Sequence, residues 1–290
     1  MDEENCAAVT DSTLLGFSDA PELRIFLFLL FLSIYGATVL GNLGMIALIQ
    51  VSSRLHTPMY FFLSHLSFVD FCYSTTIMPK MLANILNEDR AFSFLKCAVQ
   101  FYLFCTFVVT EVILLAVTAY DRFVAICDPP LYMVTMSWNL CVELVSCCYL
   151  NATVCSVTHL CSALQIPFYR SNVINHFFCD LPPPSCLLLH DHPYLLPVYS
   201  HHHPEDSLCR GKVQSFSTCA SHLAAITVLQ GMILFIYCRP QCDKNNTNTN
   251  KVATVFYTVM ISMLNPLIYS LRKNDVKEVL KKVVSSKLFS

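Results

Sequence analysis

Six long apolar runs constrain this chain more than any other feature. They cover approximately residues 25–51, 58–86, 97–126, 140–166, 213–238 and 252–271. A helix crossing ~30 Å of hydrocarbon needs about 20 predominantly apolar residues, and each run is long enough. Inside lipid every backbone N–H and C=O must find a partner within the protein, so the runs are expected to be helices. Only 13% of the 290 residues are charged, where a soluble domain carries about 25%. The expected fold is therefore an all-α membrane protein, one bundle over 1–290. A net charge of −2 gives no electrostatic footprint for nucleic acid.

The chain ends set an orientation. The tail 272–290 carries Arg272, Lys273, Lys277, Lys281, Lys282 and Lys287 against Asp275 and Glu278, and is expected to be cytoplasmic. Residues 1–23 are acidic and are expected outside the cell. They lack the basic start of a cleaved signal, so the first span is expected to act as its own signal. Ends on opposite sides require an odd number of crossings, yet the count is six.

The gap lies at 167–212, which contains no run of membrane length. Its core, "YLLPVYSHHHPEDSLCRGK", holds His201, His202, His203, Glu205 and Asp206 between Pro197 and Arg210. Imidazoles bind zinc or copper, but neighbouring histidines without supporting groups make a poor specific site. No metal and no cofactor is expected. Most of the 16 cysteines lie in apolar runs, where cysteine behaves as a small hydrophobe.

Polar residues at membrane depth mark function. Asp70 in "LSHLSFVDFCY" and Glu111 in "TFVVTEVILLAV" each cost ~2.5–3.5 kcal/mol at the bilayer centre on insertion scales. Asn42 and Asn265 add amides, and Pro266 removes a helix hydrogen bond and kinks its span. Such a cluster could hold a cation or protons. Asp121 and Arg122 stand together at the end of the third run, where an arginine can also simply snorkel to the interface.

The strings "GNLGMIALI", "LHTPMYFFLSHLSFVDFCYSTTIMPKML", "AYDRFVAIC", "INHFFCDLPP", "SFSTCASHL" and "NPLIYSLRKNDVK" follow one another along nearly the whole chain. In that order the sequence resembles the olfactory receptors, a branch of the rhodopsin-like G-protein-coupled receptors. The resemblance implies a seven-helix bundle with its fifth span degraded or missing. It implies a plasma-membrane receptor for small volatile odorants that activates a stimulatory G protein and sits in membrane lipid. It implies a disulfide between Cys97 and Cys179, an inner polar site of Asn42, Asp70 and Glu111, and a cytoplasmic latch of Tyr120, Asp121 and Arg122. Asn265, Pro266 and Tyr269 match the activation motif of the last span.

The family's pocket lies in the outer half of the bundle. On this chain one face of the third span offers Phe104, Cys105, Val108 and Val109. Ile233 and Tyr237 are expected inward from the sixth span, Val255 and Thr258 from the seventh. A mostly apolar wall with one or two hydroxyls suits a small ligand held by burial at about 25 cal/mol per Å². Each of these residues could equally be plain packing.

The chain departs from the family at several points. Asn5-Cys6-Ala7 lacks the hydroxyl residue of a glycosylation sequon, while Asn245-Asn246-Thr247 has one. Tyr169 replaces a loop cysteine, Thr118 a methionine, Gln230 an aromatic and Ser262 a proline. His176, Cys179 and Asp180 resemble a metal set, but a cysteine held in a disulfide cannot ligate as a thiolate.

The histidine-rich segment is the largest departure. Read one nucleotide later, the codons of His201 to Gly211 permit "ITILKIPSAEG", which is close to the end of the family's fifth span. Residues 187–211 are therefore read as out of frame, with the first part of the span deleted. The alternative function is a non-signalling product of a damaged receptor gene, retained in the endoplasmic reticulum. An enzyme or transporter is disfavoured: no internal repeat, P-loop, nucleophile elbow or HExxH motif occurs.

Overall fold

The first four apolar runs are helices. The computed structural model describes residues 21–86, 94–127, 129–130, 132–165, 276 and 278. Helix α1 is Pro21–Val51, followed by a 3-10 turn at Ser53–Leu55. Helix α2 is Pro58–Leu86 and α3 is Phe94–Cys127. A short helix α4, Tyr132–Thr135, leads into α5, Trp138–Gln165. The α2 bounds are those expected. Helix α1 starts four residues before its apolar run, so part of the expected outer segment 1–23 belongs to its first turn. Helix α3 starts three residues before Cys97, because polar residues are tolerated in a first turn that reaches the interface.

By length and composition three of these helices can cross a membrane, over Arg24–Val51, Ala98–Ala125 and Trp138–Ser162. Helix α2 is less apolar than the sequence runs suggested. Its polar residues are turned inward: Ser67, Asp70 and Ser74 are buried. A central helix can carry such groups where an outer one cannot, because neighbours rather than lipid surround them.

Helix α1 buries Phe31, Ile34, Thr38, Asn42, Met45 and Ile49, a stripe at three- and four-residue spacing. Its opposite side exposes Leu29, Leu32, Leu40 and Leu43. Helix α5 buries small residues, Cys141, Cys148, Ala152 and Ser156, on one face. Apolar burial drives little association within lipid, so small side chains that let backbones approach matter more. Helix α5 packs on α3, and also meets α2 through aromatic rings. Phe61 lies 4.9 Å from Trp138 and His65 lies 6.0 Å from Tyr149, centroid to centroid.

Several hydroxyls are satisfied within their own helix. The hydroxyls of Thr38, Thr106, Thr110, Thr118 and Ser156 each donate to the carbonyl four residues back, at 2.7–2.9 Å. At the outer end, Arg24 Nη2 donates to the carbonyls of Ile85 and Leu86 at 2.9 and 3.4 Å. These carbonyls end α2 and have no partner within it.

The tail docks at the inner end. Val276 is buried in the same cluster as Leu55, Phe62 and Cys141. Arg54 Nη1 pairs with Glu278 Oε2 at 2.9 Å. Those side chains are 58% and 57% exposed, so the pair contributes at most about 1 kcal/mol and Val276 is the firmer tie. Its position has a topological consequence. The α1–α2 turn is one crossing away from the start of α1, and Val276 packs against that turn. The described tail residues Val276 and Glu278 therefore lie at the same end of the helices as the α1–α2 turn.

Candidate functional site

Two polar sites stand on the described helices, one at mid-membrane and one at the inner end. Asn42, Asp70 and Glu111 are all buried, on α1, α2 and α3 respectively. Asn42 Nδ2 donates to the Thr38 carbonyl at 3.0 Å. Leu66 and Val69 beside Asp70 share one core cluster with Val112 and Leu115 beside Glu111 and with Met45 beside Asn42. Each of the three is thus buried next to apolar residues of one core cluster.

The inner end of α3 carries the second site. Asp121 is fully buried. Its Oδ1 accepts a 2.8 Å hydrogen bond from the phenol of Tyr132. Its Oδ2 lies 3.6 Å from Arg122 Nη2. Arg122 and Tyr120 are half-buried. A buried carboxylate is costly unless paired and hydrogen-bonded, and here one anion is shared between a phenol and a guanidinium. Burial first, and then the hydrogen bond to Asp121, push the Tyr132 phenol pKa well above its ordinary value.

Tyr132 was not among the expected site residues. It follows Pro129-Pro130 in a turn, and that turn brings α4 back beneath α3. The available signal was a tyrosine two residues after a double proline at a span end, where the chain has to reverse.

In the outer half, the four expected pocket residues of α3 do not share one environment. The Phe104 ring lies 5.6 Å from Tyr73 of α2. Cys105 instead packs with Phe101 and Leu160, on the α5 side. Val108 is half-buried and Val109 is buried. Tyr73 is a second residue that the sequence did not single out, since it reads as one apolar position in α2. Cys97 falls in the first turn of α3. Cys179, Ile233, Tyr237, Val255, Thr258, Asn265, Pro266 and Tyr269 lie outside the described residues, as does 167–212.

Comparison with known proteins adds to this geometry. The 7 transmembrane receptor (rhodopsin family) profile matches residues 41–201. Its match ends on the first of the three histidines. The chain is 62% identical over 312 residues to olfactory receptor 5L1 of Homo sapiens, covering all of both chains. It is 60% identical over 316 residues to olfactory receptor 5L2 of Homo sapiens, again over all of both. Olfactory receptor-like protein OLF1 of Canis lupus familiaris is 46% identical over 308 residues, covering 99% of each. The 312 positions aligned with the first relative exceed the 290 residues here by 22, so that relative has about 22 residues for which this chain has none. A shortfall of that size equals about one membrane crossing.

Proposed function

The chain belongs to the olfactory receptors, a branch of the rhodopsin-like seven-transmembrane receptors, and from that premise we propose that it couples small volatile odorants to a stimulatory G protein at the plasma membrane. It is a multi-pass signalling receptor and not an enzyme. The observation that carries the coupling role is the Asp121 carboxylate, buried and shared between Tyr132 and Arg122.

Arg122 is the residue that engages the G protein in this reading, and Asp121 and Tyr132 hold it back. Tyr120 flanks the latch, and Asn265, Pro266 and Tyr269 supply the moving end of the last span. Odorant in the outer half favours the state in which Arg122 leaves Asp121, through a difference in affinity between two bundle states. Phe104, Cys105, Val108 and Val109 form the α3 wall of that pocket, with Ile233, Tyr237, Val255 and Thr258 opposite. Asn42, Asp70 and Glu111 link the two ends. The Cys97–Cys179 disulfide ties the outer loop across the mouth. The exposed leucines of α1 and α5 are its lipid contact.

The shortfall of about 22 residues is assigned to the fifth span, within 167–212. The absence of any run of membrane length in 167–212 supports that assignment.

The choice of G protein is tested by second-messenger sign. Cells expressing the full chain are exposed to an odorant panel while cyclic AMP is followed. A rise is expected. A response seen only as a fall in forskolin-raised cyclic AMP would assign an inhibitory partner instead.

A further inference from the structure

Gln100 lies in the second turn of α3, four residues before Phe104 and eight before Val108, and so along one side of the helix. Its side chain is unusual for a polar group in this position, being only 8% exposed. Nε2 donates to the backbone carbonyl of Thr76 in α2 at 3.0 Å. Pro79 interrupts the α2 hydrogen-bond ladder within the same turn. A carbonyl can only accept, so the amide atom facing Thr76 is the nitrogen and its orientation is fixed. Oε1 is turned away, buried, and has no donor among the described residues.

We propose that Oε1 of Gln100 is a ligand hydrogen-bond acceptor, so that the receptor favours odorants carrying an O–H donor over ethers of the same shape. The inference rests on the outer-half pocket of the proposed function. A buried carbonyl oxygen without a donor is a standing cost that a ligand hydroxyl removes and a methyl ether does not. The aromatic pair Tyr73–Phe104 lies one turn further in, so the amide stands at the outer rim of an otherwise apolar wall. The acceptor sets which functional group is recognised, and the rings set the shape.

The full chain in lipid nanodiscs tests this by thermal stabilisation under titration with matched probes, guaiacol against veratrole and eugenol against methyleugenol. In the wild type the phenols are expected to half-saturate at concentrations about tenfold lower than their ethers. Gln100→Met is expected to bring each pair together. Gln100→Glu is expected to keep the preference. Its buried carboxyl stays neutral, donates to Thr76 and retains a carbonyl, so it also reports on folding. Equal half-saturation of phenol and ether in the wild type would overturn the inference, as would a preference that survives in Gln100→Met. If no probe of either kind stabilises the wild type, the pocket reading itself fails, and this inference falls with it.

Discussion

Replacing residues 187–211 with a continuous apolar helix of about 20 residues is expected to raise the amount of receptor at the cell surface several-fold. The present segment cannot cross lipid cheaply. It contains Asp191, Glu205, Asp206 and Arg210, and a charge at the bilayer centre costs ~2.5–3.5 kcal/mol. Pro193, Pro197 and Pro204 each break the helix that would satisfy its backbone, at ~3 kcal/mol or more. Meanwhile Val276 and Glu278 lie by the α1–α2 turn, whereas six crossings would return the tail to the side on which α1 starts. Six clean runs and that contact are incompatible unless a poor segment is forced across. An added apolar span removes the conflict. The readout is an N-terminal epitope on unpermeabilised cells, with a serine-rich segment of equal length as control. Equal surface signal for the apolar and serine-rich replacements would show that the segment is not a missing crossing.

The second large effect concerns the latch. Asp121→Ala is expected to raise ligand-independent cyclic AMP about tenfold at matched surface density. A hydrogen bond to a charged group is worth about 1.5–3 kcal/mol, and 1.4 kcal/mol shifts a two-state balance tenfold. Tyr132→Phe removes only the 2.8 Å phenol contact, so a smaller rise in the same direction is expected. The pH dependence has a definite sign. The folded pKa of Tyr132 is raised, so the contribution of its hydrogen bond is fully present below its unfolded value of about 10 and is lost only above that. Basal signalling is therefore expected to stay flat in this respect between about pH 6 and 8. A steep change there, absent in Tyr132→Phe, would mean that the phenol titrates and the pairing is different.

The helices were legible because lipid leaves the backbone few options. Asp70 and Glu111 were legible for the same reason, since a carboxyl at membrane depth has to be turned inward, and both are buried. The inward-turned polar face of α2 was not legible, because length and apolarity cannot reveal which helix sits at the centre of a bundle. Tyr132 was missed because its partner lies in a different element, joined through a double-proline turn whose direction no residue count gives. Phe104 and Cys105 were read as one face, yet they part toward α2 and α5, because a helix between two neighbours presents adjacent positions to different partners. The fifth-span region was legible from its composition, from the even count of apolar runs and from its departure from the family pattern.

The most direct measurement is odorant-evoked cyclic AMP in cells expressing the full chain, compared with Arg122→Ala at equal surface density. A concentration-dependent rise in the wild type that disappears in Arg122→Ala is the predicted result. A rise that survives in Arg122→Ala, or none from a broad odorant panel at normal surface density, would contradict an odorant-gated receptor that signals through the inner end of α3.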